Sequence, residues 1–298
     1  MHHAKLAGLI VILGTVWGLN VSLMKAASLS GLSFPLLAVL TIFGNLVIFA
    51  AFSRIFVGRI RIVPQLWWFF AACGCLGYVL PFFLELFAVP RIGAAPLAIV
   101  ISLAPMMTLL IASATGTEKI TRRRVMGICV GFASVSLIAV QDLSLLSGAF
   151  GVGLFAAIFV PFIYGSYHVF IARFWPDDMQ PFEIAMGESL AGLMLVIPIF
   201  ALWADVGDVP AFSFSTYWIV GALLIFSIVE VWLYFQLMRM GGPTYVSQSG
   251  YIAVIAGVLW ASFFFGETVT PWLALSILLS LSALLITGAR KEEVDVIV

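Results

Sequence analysis

The stretch TGTEKIT at residues 115–121 has a counterpart near the other end of the chain, FGETVT at residues 265–270. Each stretch joins two long apolar segments, and the glutamates Glu118 and Glu267 lie 149 positions apart. That separation is half of the 298-residue chain. Weak internal similarity at half the chain length predicts two structural units of the same design.

The segments around these joints are long enough to cross a bilayer. Apolar residues make up 63% of the sequence, charged residues only 9%, and the mean hydropathy is +1.18, which excludes an ordinary water-soluble domain. A membrane-spanning helix needs roughly 20 mostly apolar residues, whereas a barrel strand would show about 10 residues of alternating polarity. The sequence therefore predicts an all-α polytopic membrane protein. Its ten spans are expected near residues 5–26, 32–53, 65–86, 92–115, 122–141, 149–173, 180–203, 214–238, 243–265 and 270–289.

The basic residues predict the orientation. With ten helices and a cytoplasmic N-terminus, all of the 14 lysines and arginines except Lys25 and Arg91 fall on the cytoplasmic side. Lysine and arginine accumulate in cytoplasmic loops of membrane proteins. We therefore expect both termini in the cytoplasm. No basic face of the chain suggests a nucleic-acid partner.

The two units are predicted to be inverted relative to each other. Trp17-Gly18 in the first span matches Tyr164-Gly165 in the sixth span at an offset of 147 positions. Because five spans carry the chain to the opposite side, the second unit enters the membrane from the other face. Inverted repeats with a binding site between them near the bilayer midplane are a transporter architecture. The expected units are 1–145 and 146–290, followed by a cytoplasmic tail, 291–298.

These features resemble the drug/metabolite transporter (DMT) superfamily, in its ten-helix branch with two EamA domains. The resemblance rests on GTVWGLNVSLMK at 14–25, on the paired turns with Glu118 and Glu267, and on the five-plus-five layout. Within that branch the chain is most similar to bacterial exporters of aromatic and other amino acids. The resemblance implies an exporter in the cell inner (plasma) membrane that works by alternating access. We also expect a monomer that contacts only its small-molecule substrate and membrane lipid, without catalytic residues, cofactor or metal.

One position departs from the four-helix relatives in the same superfamily. Their similar helix ending in LMK carries a membrane-embedded glutamate that exchanges protons for drugs, whereas this chain has Trp17 there and Tyr164 in the second unit. Neither side chain titrates near neutral pH. Transport without a proton gradient is therefore expected, and coupling through another acid, Glu230 or Glu188, is the alternative.

Mixed aromatic and polar stripes predict the substrate site. On spans one, three, six, eight and nine such residues recur at helical spacing and at repeat-related depths. Polar side chains within a bilayer face the bundle interior or a cavity. An amino acid fits, because its ammonium requires a carboxylate or an aromatic face and its carboxylate requires hydrogen-bond donors. The candidate substrate-binding residues are Trp17, Asn20, Tyr78, Tyr164, His168, Glu230, Gln248 and Tyr251, with Met106 as a further apolar wall.

Other polar residues receive structural roles. Glu85 is expected to pair with Lys25 or Arg91 near the outer end of span three, and the turns with Glu118 and Glu267 are expected to cap helix ends.

An exporter of hydrophobic drugs or other small metabolites is the alternative function. A membrane enzyme is disfavoured, because the sequence has no catalytic or metal-ligand spacing such as H-E-x-x-H.

Overall fold

The protein is described by a computed structural model covering residues 2–32, 34–116, 121–140, 148–203 and 214–287, without some side chains, including those of 241–245, 247, 248 and 251. All regular elements in these ranges are helical. A helix pairs backbone amides and carbonyls within its own segment, which a bilayer interior requires. The α-helices are α1 His2–Leu29, α2 Phe34–Phe52, α3 Trp67–Cys73, α4 Leu80–Ile92, α5 Ala94–Ile101, α6 Ala104–Ala114, α7 Arg122–Val140, α8 Ala149–Phe174, α9 Pro181–Trp203, α10 Phe214–Phe265 and α11 Pro271–Thr287.

Seven helical segments of the described chain are long and apolar enough to cross a membrane. These are Gly8–Leu29, Leu36–Val57, Pro64–Ile92, Ala94–Ala114, Ala149–Phe174, Pro181–Leu202 and Thr216–Met240. Three shorter apolar helices are Val125–Ser134, Ile252–Phe265 and Pro271–Ala283. The chain is therefore an all-helical, multi-pass membrane protein, while the count of ten spans and the cytoplasmic termini stay predictions.

The helical run α10 folds back on itself. Near its start Glu230 accepts a hydrogen bond from Asn20 of α1, and near its end Gly257 lies against Gly18 of the same helix. A straight helix would separate residues 230 and 257 by about 40 Å at 1.5 Å per residue, whereas Gly18 and Asn20 are two residues apart. The chain therefore reverses between the predicted eighth and ninth spans, and both pack on α1.

Two spans change their helical geometry directly before a proline. In the third span the segment Gly74–Val79 is π-helical and ends two residues before Pro81. In the fourth span a turn at residues 102–103 separates α5 from α6, whose second residue is Pro105. Proline lacks the amide hydrogen and its ring clashes with the preceding turn, so the helix adjusts there. The π-helical segment brings Gly77 and Tyr78 to the centre of the bundle.

Corresponding spans of the two predicted units pack on each other. Helix α2 packs on α9, and α7 packs on α11, which pairs span two with seven and span five with ten. Helix α1 packs on α10, while α8 packs on α4 and α6. Spans one and six therefore occupy equivalent places, each against the third and fourth helices of the other unit.

Two glycines at equivalent positions allow close approaches between these helices. A Cβ atom on Gly18 would lie 2.5 Å from the backbone nitrogen of Gly257, and one on Gly165 would lie 2.6 Å from that of Thr108. Small residues let helix backbones approach closely within a membrane. The two glycines are 147 positions apart and their partners are 149 positions apart, so the two contacts follow the repeat seen in the sequence.

Candidate functional site

A cavity lies between α1, α8, α9, α10 and the π-helical segment. The space between its atoms is about 430 Å³. The volume that the centre of a water molecule can occupy is only about 40 Å³. That is room for roughly three waters. We call this space the central cavity. Its lining residues are Leu13, Trp17, Gly77, Tyr78, Tyr164, Tyr167, His168, Glu188, Glu230, Val231, Tyr234 and Phe235.

Residues related by the sequence repeat meet at this cavity. Trp17 and Tyr164, 147 positions apart, touch edge to face with ring centroids 5.6 Å apart. Asn45 is fully buried and donates to Tyr78 and to Ser227, the latter at 2.8 Å. Tyr78 and Ser227 are themselves 149 positions apart. The cavity therefore lies where the two units contact each other.

Three carboxyl groups lie in or next to the cavity wall. Glu188 accepts a hydrogen bond from the Tyr167 hydroxyl at 2.8 Å, and Glu230 accepts one from the Asn20 amide. Glu85 is 5% exposed and accepts from Tyr164 at 2.8 Å. Their partners are neutral hydroxyl and amide groups. None of the described lysine and arginine side chains lines the cavity.

Aromatic rings form one continuous side of the cavity. Tyr234 stacks on Tyr167 with centroids 5.4 Å apart and on His168 with centroids 5.5 Å apart. The His168 ring is 2% exposed, and its Nδ1 lies 3.2 Å from the Thr108 hydroxyl. Ring faces attract cations, so this wall and the carboxyl groups favour the same kind of ligand.

The model of the EamA-like transporter family matches residues 5–140 and 151–289, which together are most of the chain. The chain belongs to the EamA-like transporter family. A solved structure described as "Crystal structure of protein" shares the fold, with a TM-score of 0.66 at 18% sequence identity over 93% of this chain and 94% of that one. No curated protein matches the chain. The family is one of membrane transporters for small molecules, which is the general function of this chain.

In this EamA-like protein the structure gathers most of the predicted site residues. Trp17, Tyr78, Tyr164, His168 and Glu230 line the central cavity, and Asn20 binds Glu230 from behind. The side chains of Gln248 and Tyr251 lie outside the described residues. Their part in the site stays a prediction.

Three polar side chains of the cavity wall were absent from the predicted site. Tyr167 and Tyr234 stand on the predicted stripes of spans six and eight, so their spacing was the available signal. Glu188 is an intramembrane acid, which by itself suggests a role. Its helix carries few other polar residues, and the partner that ties it to the site, Tyr167, comes from α8.

Two predicted placements are wrong. Glu85 does not pair with Lys25 or Arg91, because its side chain turns into the bundle and bonds Tyr164. Met106 does not line the central cavity, because it is buried in an apolar cluster where its sulfur packs against Gly131 of α7. Among the described residues no group of His, Cys, Asp and Glu has an arrangement that could hold a metal ion.

One end of the bundle is tied by Glu267. Its carboxylate pairs with Lys25 of α1 and accepts hydrogen bonds from the amides of Ala94 and Ala95, at 3.0 and 3.1 Å, at the start of α5. Gly93, with a φ of +92°, leaves room for this approach. The predicted cap is thus found on a helix of the other unit, while the turn with Glu118 lies outside the described residues.

The opposite end is tied by two further ion pairs between the units. Arg59 Nε lies 2.9 Å from Glu183 of α9, and Arg61 lies 2.5 Å from Asp178. The hydrogen bond from Arg61 holds the pKa of Asp178 below its usual range. Glu183 also accepts from the Gln180 amide at 2.9 Å, which caps α9. Ion pairs therefore join the units on both sides of the central cavity.

Proposed function

We propose that this protein exports small molecules that carry an ammonium group beside an aromatic or apolar body, amino acids among them, across the cell inner membrane. The observation that supports this cargo is the chemistry of the central cavity. Its wall combines Glu188 and Glu230 with stacked aromatic rings. A carboxylate and an aromatic face are the two groups that bind an ammonium in an otherwise apolar site.

The mechanism we propose is alternating access by a monomer, with no cofactor. The central cavity has room for roughly three waters, so cargo enters only when the two units separate at one end. The ion pairs Lys25–Glu267 and Arg59–Glu183 join one unit to the other at opposite ends of the bundle. Breaking the pair at one end would let the units separate there. Two inverted units of similar design give inward-open and outward-open states of similar energy.

Export of hydrophobic drugs or other small metabolites is the second candidate. The apolar and aromatic part of the wall, with Leu13, Val231 and Phe235, supports it. The buried carboxyl groups favour the amine-bearing cargo, because a membrane-embedded acid without a polar task is costly.

Uptake of labelled phenylalanine by liposomes containing the purified protein tests the proposal. Glu230→Gln and Gln248→Ala should each weaken the apparent affinity by roughly 5- to 150-fold, the effect of losing a hydrogen bond to a charged group of about 1–3 kcal/mol. Asp177→Asn, which removes an exposed carboxylate outside the cavity, should leave the affinity unchanged. Absence of saturable uptake refutes amino-acid transport, and full affinity in both cavity variants moves the site elsewhere.

A further inference from the structure

We infer that the central cavity selects organic cations without a carboxylate, with aromatic monoamines as the chemical class, over zwitterionic amino acids. This inference rests on the proposed function, because it specifies which amine-bearing molecules the same site binds. It follows from three features of the wall: its charge, its free acceptors and its aromatic faces.

The acidic groups of the site have no described lysine or arginine beside them. Glu188 and Glu230 line the cavity and Glu85 lies directly behind Tyr164, while the described lysines and arginines are found elsewhere. The other titratable groups that face these acids are Tyr78, Tyr164, Tyr167, Tyr234, His168 and Cys73. A ligand with one positive charge supplies the missing opposite charge, whereas the carboxylate of a zwitterion is brought next to other carboxylates.

Three donors of the described site are already engaged with its acids. The Asn20 amide donates to Glu230, the Tyr167 hydroxyl donates to Glu188, and the Tyr164 hydroxyl donates to Glu85. A ligand carboxylate would have to break one of these bonds and leave a buried acid without its partner. Breaking such a bond is unfavourable, because a buried polar group that loses its partner keeps its full desolvation penalty.

Two buried oxygen atoms, by contrast, can still accept a hydrogen bond, although the Tyr234 hydroxyl can also donate one. Among the described residues, Asn20 Oδ1 and the Tyr234 hydroxyl have no hydrogen-bond partner, although the two residues are only 6% and 8% exposed. Buried polar atoms normally have a partner. An ammonium offers three donors and no acceptor, which complements the Tyr234 oxygen and the cavity carboxylates.

The aromatic wall completes the match. The stack of Tyr167, Tyr234 and His168 presents ring surface beside Glu188, while Trp17 and Tyr164 meet edge to face near Glu230. Ring faces bind both an ammonium and a second aromatic ring. A molecule with a ring two or three bonds from its nitrogen would contact both parts of the wall.

Four ligands with the same phenyl body separate the contributions of charge. Phenethylamine carries only the cation, 3-phenylpropionate only the anion, phenylalanine both, and phenylalaninamide the cation beside a neutral amide. We expect calorimetric titration of the full-length protein in lipid nanodiscs to show phenethylamine and phenylalaninamide binding about tenfold or more tightly than phenylalanine. No saturable binding of 3-phenylpropionate is expected.

Two cavity variants and one outside variant link the preference to this site. Glu188→Gln and Glu230→Gln should each weaken phenethylamine binding by roughly 5- to 150-fold, and should narrow the gap between phenethylamine and phenylalanine. Asp177→Asn removes an exposed negative charge outside the cavity and should change neither. The four-ligand comparison on the unaltered protein needs no variant, so a variant that fails to fold leaves the test intact.

Each other result contradicts the inference. If phenylalanine binds as tightly as phenethylamine, or more tightly, the cavity holds a partner for the carboxylate, and amino-acid export stands while the cation preference fails. If amine binding is unchanged in both cavity variants, the preference belongs to another site. If no ligand binds and labelled phenylalanine shows no uptake, the proposed function and the inference fail together.

Discussion

Gly77 holds a position where only a hydrogen fits between the cavity side chains. A Cβ atom there would lie 2.7 Å from Tyr167 Cζ and would also collide with the Glu188 carboxylate. The hydrogen bond from Tyr167 to Glu188 therefore depends on glycine at this point of the π-helical segment. This is a packing requirement, since Gly77 is not among the residues with a positive φ.

Gly77→Ala is expected to destabilise the protein by about 1–3 kcal/mol, because adding a methyl group to a filled interior forces neighbours apart. Gly221→Ala is the matched control. Gly221 lies in α10 with nothing within 4 Å of its missing Cβ, and alanine favours a helix over glycine by roughly 0.5–1 kcal/mol. The measurement is the melting temperature of both variants in detergent. Equal melting temperatures for the two variants would show that Tyr167 and Glu188 can move away from the added methyl group without loss of stability.

Single residues of the site were predictable where a local pattern revealed them. Trp17 and Tyr164 stand at matching positions of the repeated motif, and the structure brings them into contact. Glu85 could not be placed, because its depth in the span suggested a basic partner while its rotamer directs it to Tyr164. Such choices depend on the packing of helices far apart in sequence, which spacing along one helix does not contain.

Short helical elements depend on contacts from distant parts of the chain. Helix α5 has only eight residues, and Gly93 before it offers no side chain to bind the first amides. Glu267 supplies both acceptors and also pairs with Lys25. A negative charge at a helix N-terminus is favourable because the free amides and the helix dipole are positive there. The FGETVT turn thus serves two helices, since Thr270 also accepts from the Leu273 amide at 3.2 Å.

Glu267→Ala is expected to lower stability by about 1–2 kcal/mol, the effect of removing a helix cap. Glu267→Gln should lose less, because its amide oxygen still accepts one hydrogen bond. Thr268→Ala, an exposed neighbour in the same turn, is the control and should be neutral. Thermal unfolding of the three variants in detergent provides the comparison. A melting temperature for Glu267→Ala equal to that of Thr268→Ala would mean that water replaces the carboxylate without loss.

The element bounds were largely predictable, because span length follows from the apolar runs. Predicted spans at 122–141 and 149–173 agree with α7 Arg122–Val140 and α8 Ala149–Phe174. The π-helical geometry of Gly74–Val79 could not be derived, although Pro81 indicated a disturbance. Proline excludes a regular hydrogen bond without determining which alternative the preceding turn adopts.

The arrangement of the two units suggests how transport is driven. Helices of one unit pack against equivalent helices of the other, and the cavity lies at the contact of Trp17 with Tyr164. The positions where four-helix relatives carry a proton-exchanging glutamate thus hold two aromatic rings that touch. Because neither ring titrates near neutral pH, these two positions do not couple the change between inward-open and outward-open states to a proton.

We therefore expect transport to continue without a proton gradient. In counterflow, liposomes loaded with unlabelled cargo take up labelled cargo at equal internal and external pH, because loaded carriers exchange between the two faces. The expected result is accumulation of label at equal pH, with a similar initial rate when an artificial pH gradient is added. Counterflow that requires a pH gradient would contradict this and would assign proton exchange to the interior acids Glu85, Glu188 and Glu230. Glu188→Gln and Glu230→Gln would then identify the acid, since the variant lacking it should lose the dependence on the gradient while keeping counterflow.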